Sequence, residues 1–164
     1  MPTPLPAPAL LRRLDNGPVS ADLSAGLRAL AKDCGLKLDP DAELAKSWCL
    51  FWVAELAPSL PLAGFCLAWA VADEIELISI GTPPQARRQG IARRLMETLI
   101  AEGKRSGARA IFLEVRSRNT AALKLYRAFG FTALEERRAY YPDGEDATLM
   151  SLNLPPATAS PLQP

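Results

Sequence analysis

Four arginines lie close together where the sequence predicts the start of a helix. They are Arg87, Arg88, Arg93 and Arg94, in the stretch TPPQARRQGIARRLMETLI at residues 82–100. Because the N-terminus of a helix carries partial positive charge, each cation there costs about 0.3–1 kcal/mol. A strand, a turn and a helix in this order expose backbone N–H groups that bind anions, and a bound pyrophosphate would reverse the electrostatic balance. The alternative is that the arginines extend into solvent and Gly90 only starts the helix.

A second group of candidate residues lies downstream of this turn. Glu114 interrupts the apolar run AIFLEVRS, where an unpaired carboxylate is unfavourable. Glu114 is therefore either a general base or the ion-pair partner of Arg116, which lies on the same strand face. Tyr126 shares a helix face with Leu123 and is either a proton donor or a core tyrosine. Asn119 is predicted to cap that helix.

The composition excludes several kinds of catalytic centre. The chain of 164 residues has no histidine, and its three cysteines, at positions 34, 49 and 66, have no CxxC spacing. Zinc sites built on imidazole, Ser-His-Asp triads and Cys-His dyads are thereby excluded, and we predict no metal. Scattered thiols of this kind are typical of a reduced, cytoplasmic protein. The net charge of +1 provides no overall field to attract nucleic acid or an anionic membrane, so we predict neither as a partner.

The order of elements predicts an α/β (α+β) fold with one mixed, mostly antiparallel sheet flanked by helices. Hydrophobic spacing and turn signals give the order β-α-α-β-β-β-α-β-α-β-β. A first helix lies within residues 20–35, a short helix begins at Asp39-Pro40, and three β-rich runs follow as an antiparallel meander. A further helix is predicted from Arg88 to about Lys104, and a strand buried on both faces from Ala108 to Ser117.

One domain, residues 10–154, is predicted between two irregular ends. Residues 1–9 are predicted to be a flexible, proline-rich leader, and residues 155–164 a disordered tail. The apolar segment Leu56–Ala72 is interrupted by two prolines and is shorter than the roughly 20 residues of a membrane-spanning helix. We therefore predict a loop followed by a buried strand there. The tryptophans expected in the core are Trp48 and Trp52.

Three sequence motifs follow one another in the second half of the chain. RRQGIARRLM contains R-x-x-G-x-A at Arg87–Ala92, and LEVRSRNTAALKLYRAFGF and RRAYYPDGEDATLM come after it. In type, order and spacing these motifs resemble the GCN5-related N-acetyltransferase (GNAT) family, whose signature is Q/R-x-x-G-x-G/A. The sequence is most similar to the bacterial type that acetylates the N-terminal alanine of a ribosomal protein. The resemblance covers about residues 10–154 and is strongest from Glu76 onward.

The resemblance implies that the ligand is acetyl-coenzyme A (acetyl-CoA). Its pyrophosphate would lie on the amides of residues 88–93 and its pantetheine arm along the end of the preceding strand. The cofactor-binding residues implied in this way are Ile80, Gly81, Thr82, Arg87, Arg88, Gln89, Gly90, Ile91, Ala92, Arg93 and Asn119. By the same resemblance Glu114 is the general base, Tyr126 protonates the leaving thiolate, and the N–H of Gly81 or Thr82 is the oxyanion donor.

The predicted acceptor is a protein N-terminal α-amine, with a ribosomal protein as the partner that the resemblance implies. At pH 7, neutralising an α-amine costs about 1–1.4 kcal/mol, against about 4.6 kcal/mol for a lysine, so a single carboxylate suffices for the α-amine. By resemblance Tyr140 and Tyr141 lie near the acceptor peptide. Two alternatives stay open: a non-catalytic acyl-CoA-binding regulatory module and a small-molecule amine acetyltransferase.

Overall fold

The structure is a computed structural model that describes residues 9–56 and 62–155. The predicted leader and tail lie outside the described residues, apart from Ala9 and Pro155. Ala9 is buried, and its carbonyl oxygen accepts a hydrogen bond from Arg94.

The described residues form helices and strands with the following bounds. The helices are α1 (Ala21–Asp33), α2 (Pro40–Leu44), α3 (Ile91–Ser106) and α4 (Thr120–Ala128). The strands are β1 (Leu10–Leu14), β2 (Cys49–Glu55), β3 (Leu62–Val71), β4 (Glu74–Gly81), β5 (Ala110–Arg116), β6 (Thr132–Arg137) and β7 (Ala147–Asn153).

The seven strands form one sheet in the order β1-β2-β3-β4-β5-β7-β6. Strands β4 and β5 pair in parallel, whereas β1 pairs with β2, β5 with β7 and β6 with β7 in antiparallel orientation. Two residues, Ala72 and Asp73, separate β3 from β4, a connection that only antiparallel neighbours allow. The predicted mixed, mostly antiparallel sheet flanked by helices is confirmed, as is the predicted order of helices and strands.

The chain divides into two compact units, of which the first comprises, in its described part, residues 9–56, 62–68 and 79–96. In this unit α1 begins after Ser20, whose hydroxyl accepts a hydrogen bond from the Leu23 amide. The apolar face of α1 packs on the sheet, in a core formed by Leu27, Leu30, Ala31, Phe51, Val53, Phe65 and Leu67. Burial of each large side chain in this core contributes about 1.5–3 kcal/mol to the stability of the fold.

The second unit comprises, in its described part, residues 69–78 and 97–155. Its central strand is β5, which pairs with β4 on one side and β7 on the other. The C-terminal part of α3 packs closely on these strands: a Cβ atom added to Gly103 would lie 2.7 Å from Leu154 Cδ1 and 3.3 Å from Ile75 Cδ1. Glycine at this position therefore lets the helix approach the strand that carries Glu114.

Helix α3 begins later than the sequence predicts. Arg88 and Gly90 both have positive φ angles, 62° and 74°, so the helix starts at Ile91 rather than at Arg88. Residues in the left-handed region do not belong to a right-handed α-helix. Two of the four clustered arginines, Arg87 and Arg88, consequently precede the helix, and Arg93 and Arg94 lie in its first turn.

Two burial predictions are also wrong. Strand β5 is not buried on both faces, because buried residues alternate with half-buried ones along it. Glu114 and Arg116 lie on the half-buried face, as the period of two in a strand requires. Trp52 is buried as expected, but Trp48 precedes β2 and is 47% exposed.

Candidate active site

The loop between β4 and α3 is a tight turn held by hydrogen bonds within the loop. A short 3-10 turn, Pro84–Ala86, follows β4, and the Nε–H of Arg87 donates a hydrogen bond of 3.2 Å to the Thr82 carbonyl. The left-handed residues Arg88 and Gly90 then redirect the chain into α3. A Cβ atom added at Gly90 would meet nothing within 4 Å, so the positive φ, and not a lack of space, requires glycine there.

The N-terminus of α3 has the properties of an anion-binding site. The first hydrogen bond of the helix runs from the Arg94 amide to the Gly90 carbonyl, so the amides of Ile91 and Ala92 lie outside the helical ladder. No acidic residue occupies the first turn, and the residue before the helix, Gly90, has no side chain to cap it. Arginine side chains and a helix N-terminus in one place favour a phosphate ligand.

Thr82 contributes an independent observation at the same loop. Its side-chain Oγ1 is buried and has no hydrogen-bond partner among the described residues. A buried hydroxyl without a partner costs about 1–3 kcal/mol. A polar ligand beside this strand end would supply the missing partner, so the residues present fit a bound pantetheine and pyrophosphate.

Gly81 is required by the packing of the protein itself. A Cβ atom at this position would lie 2.7 Å from Phe65 Cε1 and 2.9 Å from Cys34 Sγ, at distances that real Cβ atoms do not occupy. Ile80, the residue before it, is half-buried. Burial raises the pKa of the Cys34 thiol, and the nearby Arg87 partly opposes this increase. The strand end that carries Gly81 is thus fixed by side chains of the first unit.

Glu114 is paired, but with a partner other than Arg116. Its carboxylate forms an ion pair with Arg137 of β6. Arg116 instead donates hydrogen bonds of 2.8 Å to both Asp143 and Glu145 in the loop between β6 and β7. The expectation that Arg116 is the alternative partner of Glu114 is wrong, because each of the two side chains pairs with an opposite charge on another element.

The Glu114 carboxylate influences two tyrosines of the β6–β7 loop. A hydrogen bond from the Tyr140 hydroxyl to Glu114 raises the pKa of Tyr140, as does the negative charge of Glu114. Burial raises the pKa of Tyr141, and the charge of Glu114 adds to the increase. The two rings are 5.3 Å apart in an edge-to-face arrangement, and the guanidinium of Arg116 lies 4.0 Å from the centre of the Tyr141 ring. These contacts connect the loop to β5 through Arg116.

Tyr126 and Asn119 lie on α4, in the second unit. Asn119 caps the helix as predicted, and its side-chain oxygen accepts a hydrogen bond of 3.1 Å from the Ala122 amide. Tyr126 is 6% exposed, and its ring lies 5.8 Å from that of Phe131. Tyr126 therefore lies in the core, on the helix face that it shares with Leu123, as the sequence predicts.

The predicted site residues fall into two groups. The residues at the β4–α3 connection, Ile80–Thr82 and 87–93, belong to the first unit, and Glu114, Asn119 and Tyr126 belong to the second. Sequence reasoning missed Arg137. The signal was present, because Arg137 begins the RRAYYPDGEDATLM motif, but nothing in the spacing pairs it with Glu114.

Comparison with known proteins gives the class and family of this chain. The family model described as the acetyltransferase (GNAT) family matches residues 24–131. The chain belongs to the GNAT family, and it is an acetyl-CoA-dependent N-acetyltransferase.

Relatives with assigned activities are similar over the larger part of the chain. The ribosomal protein bS18-alanine N-acetyltransferase of Escherichia coli K12 is 42% identical over 101 residues, which are 60% of this chain and 68% of the relative. The enzyme of the same name from Haemophilus ducreyi is 36% identical over 97 residues, which are 57% of this chain and 67% of that relative.

Solved structures agree with the fold. The crystal structure of the ribosomal-protein-S18-alanine N-acetyltransferase from E. coli has a TM-score of 0.74 at 27% identity and covers 94% of this chain and 99% of its own. The NatC complex bound to Gag peptide and CoA has a TM-score of 0.76 at 21% identity, covering 90% of this chain and 99% of its own, which supports the fold alone.

Residues 9–56 and 62–155 contain no helix that is long and apolar enough to cross a membrane. Within the same ranges, no three or more acidic, cysteine or histidine side chains are grouped so that they could hold a metal ion.

Proposed function

We propose that the protein transfers the acetyl group of acetyl-CoA to the α-amine of a protein N-terminus by direct attack, with a ribosomal protein as the acceptor. The observation that carries the proposal is the Glu114 carboxylate. It is 25% exposed, lies at a strand position that interrupts an apolar run, and forms an ion pair with Arg137. The similarity to the bS18-alanine enzymes supports this acceptor.

The cofactor would be held by the β4–α3 connection. The amides at the start of α3 and the side chains of Arg87, Arg88 and Arg93 would bind the pyrophosphate, and Asn119 is a further residue assigned to the cofactor. The end of β4, at Ile80–Thr82, would bind the pantetheine arm as an added strand does, with the Thr82 hydroxyl as a polar contact. Bound acetyl-CoA supplies an activated thioester for attack by an amine.

Two side chains would move the protons. Glu114 would accept a proton from the attacking amine, directly or through one water molecule. Tyr126 would donate its phenol proton to the departing thiolate, and the N–H of Gly81 or Thr82 would bind the oxyanion. An α-amine suits this apparatus, because one weakly basic carboxylate is enough to neutralise an amine whose pKa is near 7.7–8.0.

The test measures release of the CoA thiol from acetyl-CoA with three acceptors. The first is a peptide with a free N-terminal alanine; the second is the same peptide with a blocked N-terminus and an internal lysine; the third is a polyamine. We expect turnover with the first and at least about a hundredfold less with the lysine peptide, since neutralising lysine costs about 3 kcal/mol more. Turnover of the polyamine alone would contradict the proposed acceptor.

The role of Glu114 is tested by a matched pair of variants. Glu114→Gln should lower kcat by about 10²–10⁴ because the proton acceptor is lost. Glu136→Gln, which removes an exposed carboxylate from β6, should keep the wild-type rate. Equal rates for Glu114→Gln and the wild type at every pH would show that another group is the base.

A further inference from the structure

Arg137 pairs with Glu114, whose carboxylate must be able to accept a proton in the proposed reaction. Its guanidinium forms an ion pair with Glu114 across the sheet, although the two residues are on strands β6 and β5, separated by β7. The pair is half-buried, with the side chain of Arg137 38% and that of Glu114 25% exposed. A second carboxylate, that of Glu135, lies 3.7 Å from Arg137 and is 57% exposed.

The same guanidinium also contacts Tyr140. It lies 5.7 Å from the centre of the Tyr140 ring. Glu114 and Arg137 act on the Tyr140 hydroxyl in opposite directions, since the carboxylate raises the pKa of Tyr140 and the guanidinium lowers it. Glu114, Arg137 and Tyr140 therefore form one cluster, in which the carboxylate and the guanidinium contact each other and both act on the Tyr140 hydroxyl.

We propose that Arg137 is a positioning residue, which orients the Glu114 carboxylate toward the acceptor and whose positive charge makes the bound amine easier to deprotonate. The proposal rests on the proposed function. An ammonium ion next to a guanidinium is repelled, whereas a neutral amine is not. Arg137 thus favours the form of the acceptor that attacks, and Glu114 remains ready to accept its proton.

The charged and titratable groups around Glu114 come from three elements. Strand β6 contributes Arg137 and Glu135, the β6–β7 loop contributes two tyrosines and two carboxylates, and β5 contributes Arg116 beside Glu114 itself. The loop residues are Tyr140, Tyr141, Asp143 and Glu145. Arg116 pairs with Asp143 and Glu145, whereas Arg137 pairs with Glu114.

The kinetic test compares three variants of the full chain with the N-terminal alanine peptide as acceptor. Arg137→Gln should lower kcat by about tenfold without raising the KM for the peptide, and should move the acidic limb of the kcat profile up by about 0.5–1 pH unit. Arg137→Lys keeps the positive charge, so its acidic limb should lie at the same pH as that of the wild type. Arg138→Gln, at the exposed neighbouring arginine, should match the wild type. A merely structural arginine would change the melting temperature and leave the pH profile in place, which would overturn the proposal.

A second measurement is independent of activity. The chain has three tyrosines, so ¹³C labelling at the phenolic carbon gives a simple NMR spectrum in which Tyr140 can be titrated. Its pKa should rise in Arg137→Gln and fall in Glu114→Gln, with circular dichroism to verify folding. A Tyr140 titration that is the same in all three proteins would refute the cluster. If no peptide is acetylated but the titration shifts as expected, the acceptor assignment fails and the coupling of Arg137 to Glu114 stands.

Discussion

At the scale of single residues, Gly81 and Gly26 illustrate two opposite uses of glycine. Gly81 lies at the end of β4, where Phe65 and Cys34 fill the space that a Cβ atom needs. Gly26 lies within α1, where a Cβ atom would come no nearer than 4.0 Å to Leu62 Cδ1. Packing requires the first glycine. The second is not required by packing, and it destabilises the helix because glycine gives the unfolded chain more conformational freedom to lose on folding.

We therefore expect alanine at these two positions to have opposite effects on stability. Gly81→Ala should lower the free energy of unfolding by about 1–3 kcal/mol, because buried side chains must move. Gly26→Ala should raise it by about 0.5–1 kcal/mol, because alanine is the better helix former. Urea unfolding of both variants beside the wild type measures the difference. Stabilisation by Gly81→Ala would mean that the packing around this strand end is looser than described.

Single residues also mark the limit of what the sequence reveals about the site. Asn119 was predicted as a helix cap from local signals, and the cap is observed. Glu114 is recognisable because it is a carboxylate in an apolar run. Its partner Arg137 is not, because the pair joins residues 23 positions apart on strands that are not neighbours. Local chemistry is readable from sequence, whereas partners across a sheet depend on strand order.

At the scale of elements, the β4–α3 loop combines backbone strain with concentrated charge. Arg88 adopts a φ of 62°, a conformation that costs a non-glycine residue about 1–2 kcal/mol. Its side chain is exposed, so packing does not compensate for the cost. We infer that this position keeps its arginine for the ligand and not for folding.

Two variants of Arg88 separate strain from charge. Arg88→Gly should raise the free energy of unfolding by up to about 1 kcal/mol by relieving the left-handed strain, while Arg88→Ala, which keeps the Cβ atom, should leave it almost unchanged. Both should weaken CoA binding by a similar factor, since both lose one charge-assisted contact. Calorimetric titration with CoA and urea unfolding provide the two readouts. If Arg88→Gly binds CoA as tightly as the wild type, the arginine does not contact the phosphates.

The same loop shows why element boundaries are harder to predict than elements. The apolar stripe of α3 correctly predicts a helix. The start was placed three residues too early, because Arg88 and Gln89 are compatible with a helix by composition. The positive φ angles of Arg88 and Gly90 prevent the helix from starting earlier, and an arginine in the sequence does not predict a positive φ.

At the scale of the whole molecule, the absence of histidine governs how stability depends on pH. Histidine is the side chain whose ordinary pKa falls between pH 5 and 8, and the chain has none. The cysteines have raised pKa values, caused first by burial, and that of Cys49 is raised to about 11. We therefore expect the stability of this protein to fall on the alkaline side, where these thiols titrate.

The sign of this effect follows from proton binding. The Cys49 thiol has an ordinary pKa of 9.0 and a folded-state pKa of about 11, so between these values the unfolded chain binds fewer protons than the folded one. Stability must fall as pH rises through this window. The contribution of Cys49 is complete below pH 9 and is lost above pH 11. It amounts to at most about 2–3 kcal/mol, because each unit of pKa corresponds to 1.36 kcal/mol.

The variant Cys49→Ala isolates this contribution from those of the other thiols and the tyrosines. Alanine leaves a small cavity at this 2% exposed position, so the variant should be less stable than the wild type at pH 8. The stability difference between the two proteins should then shrink as pH rises from 9 to 11, because only the wild type has a Cys49 proton to lose on unfolding. Urea unfolding at half-unit steps of pH measures the difference. A difference that stays constant across this range would show that the Cys49 thiol ionises as readily in the folded protein as in the unfolded chain, and that burial in this core does not protect it.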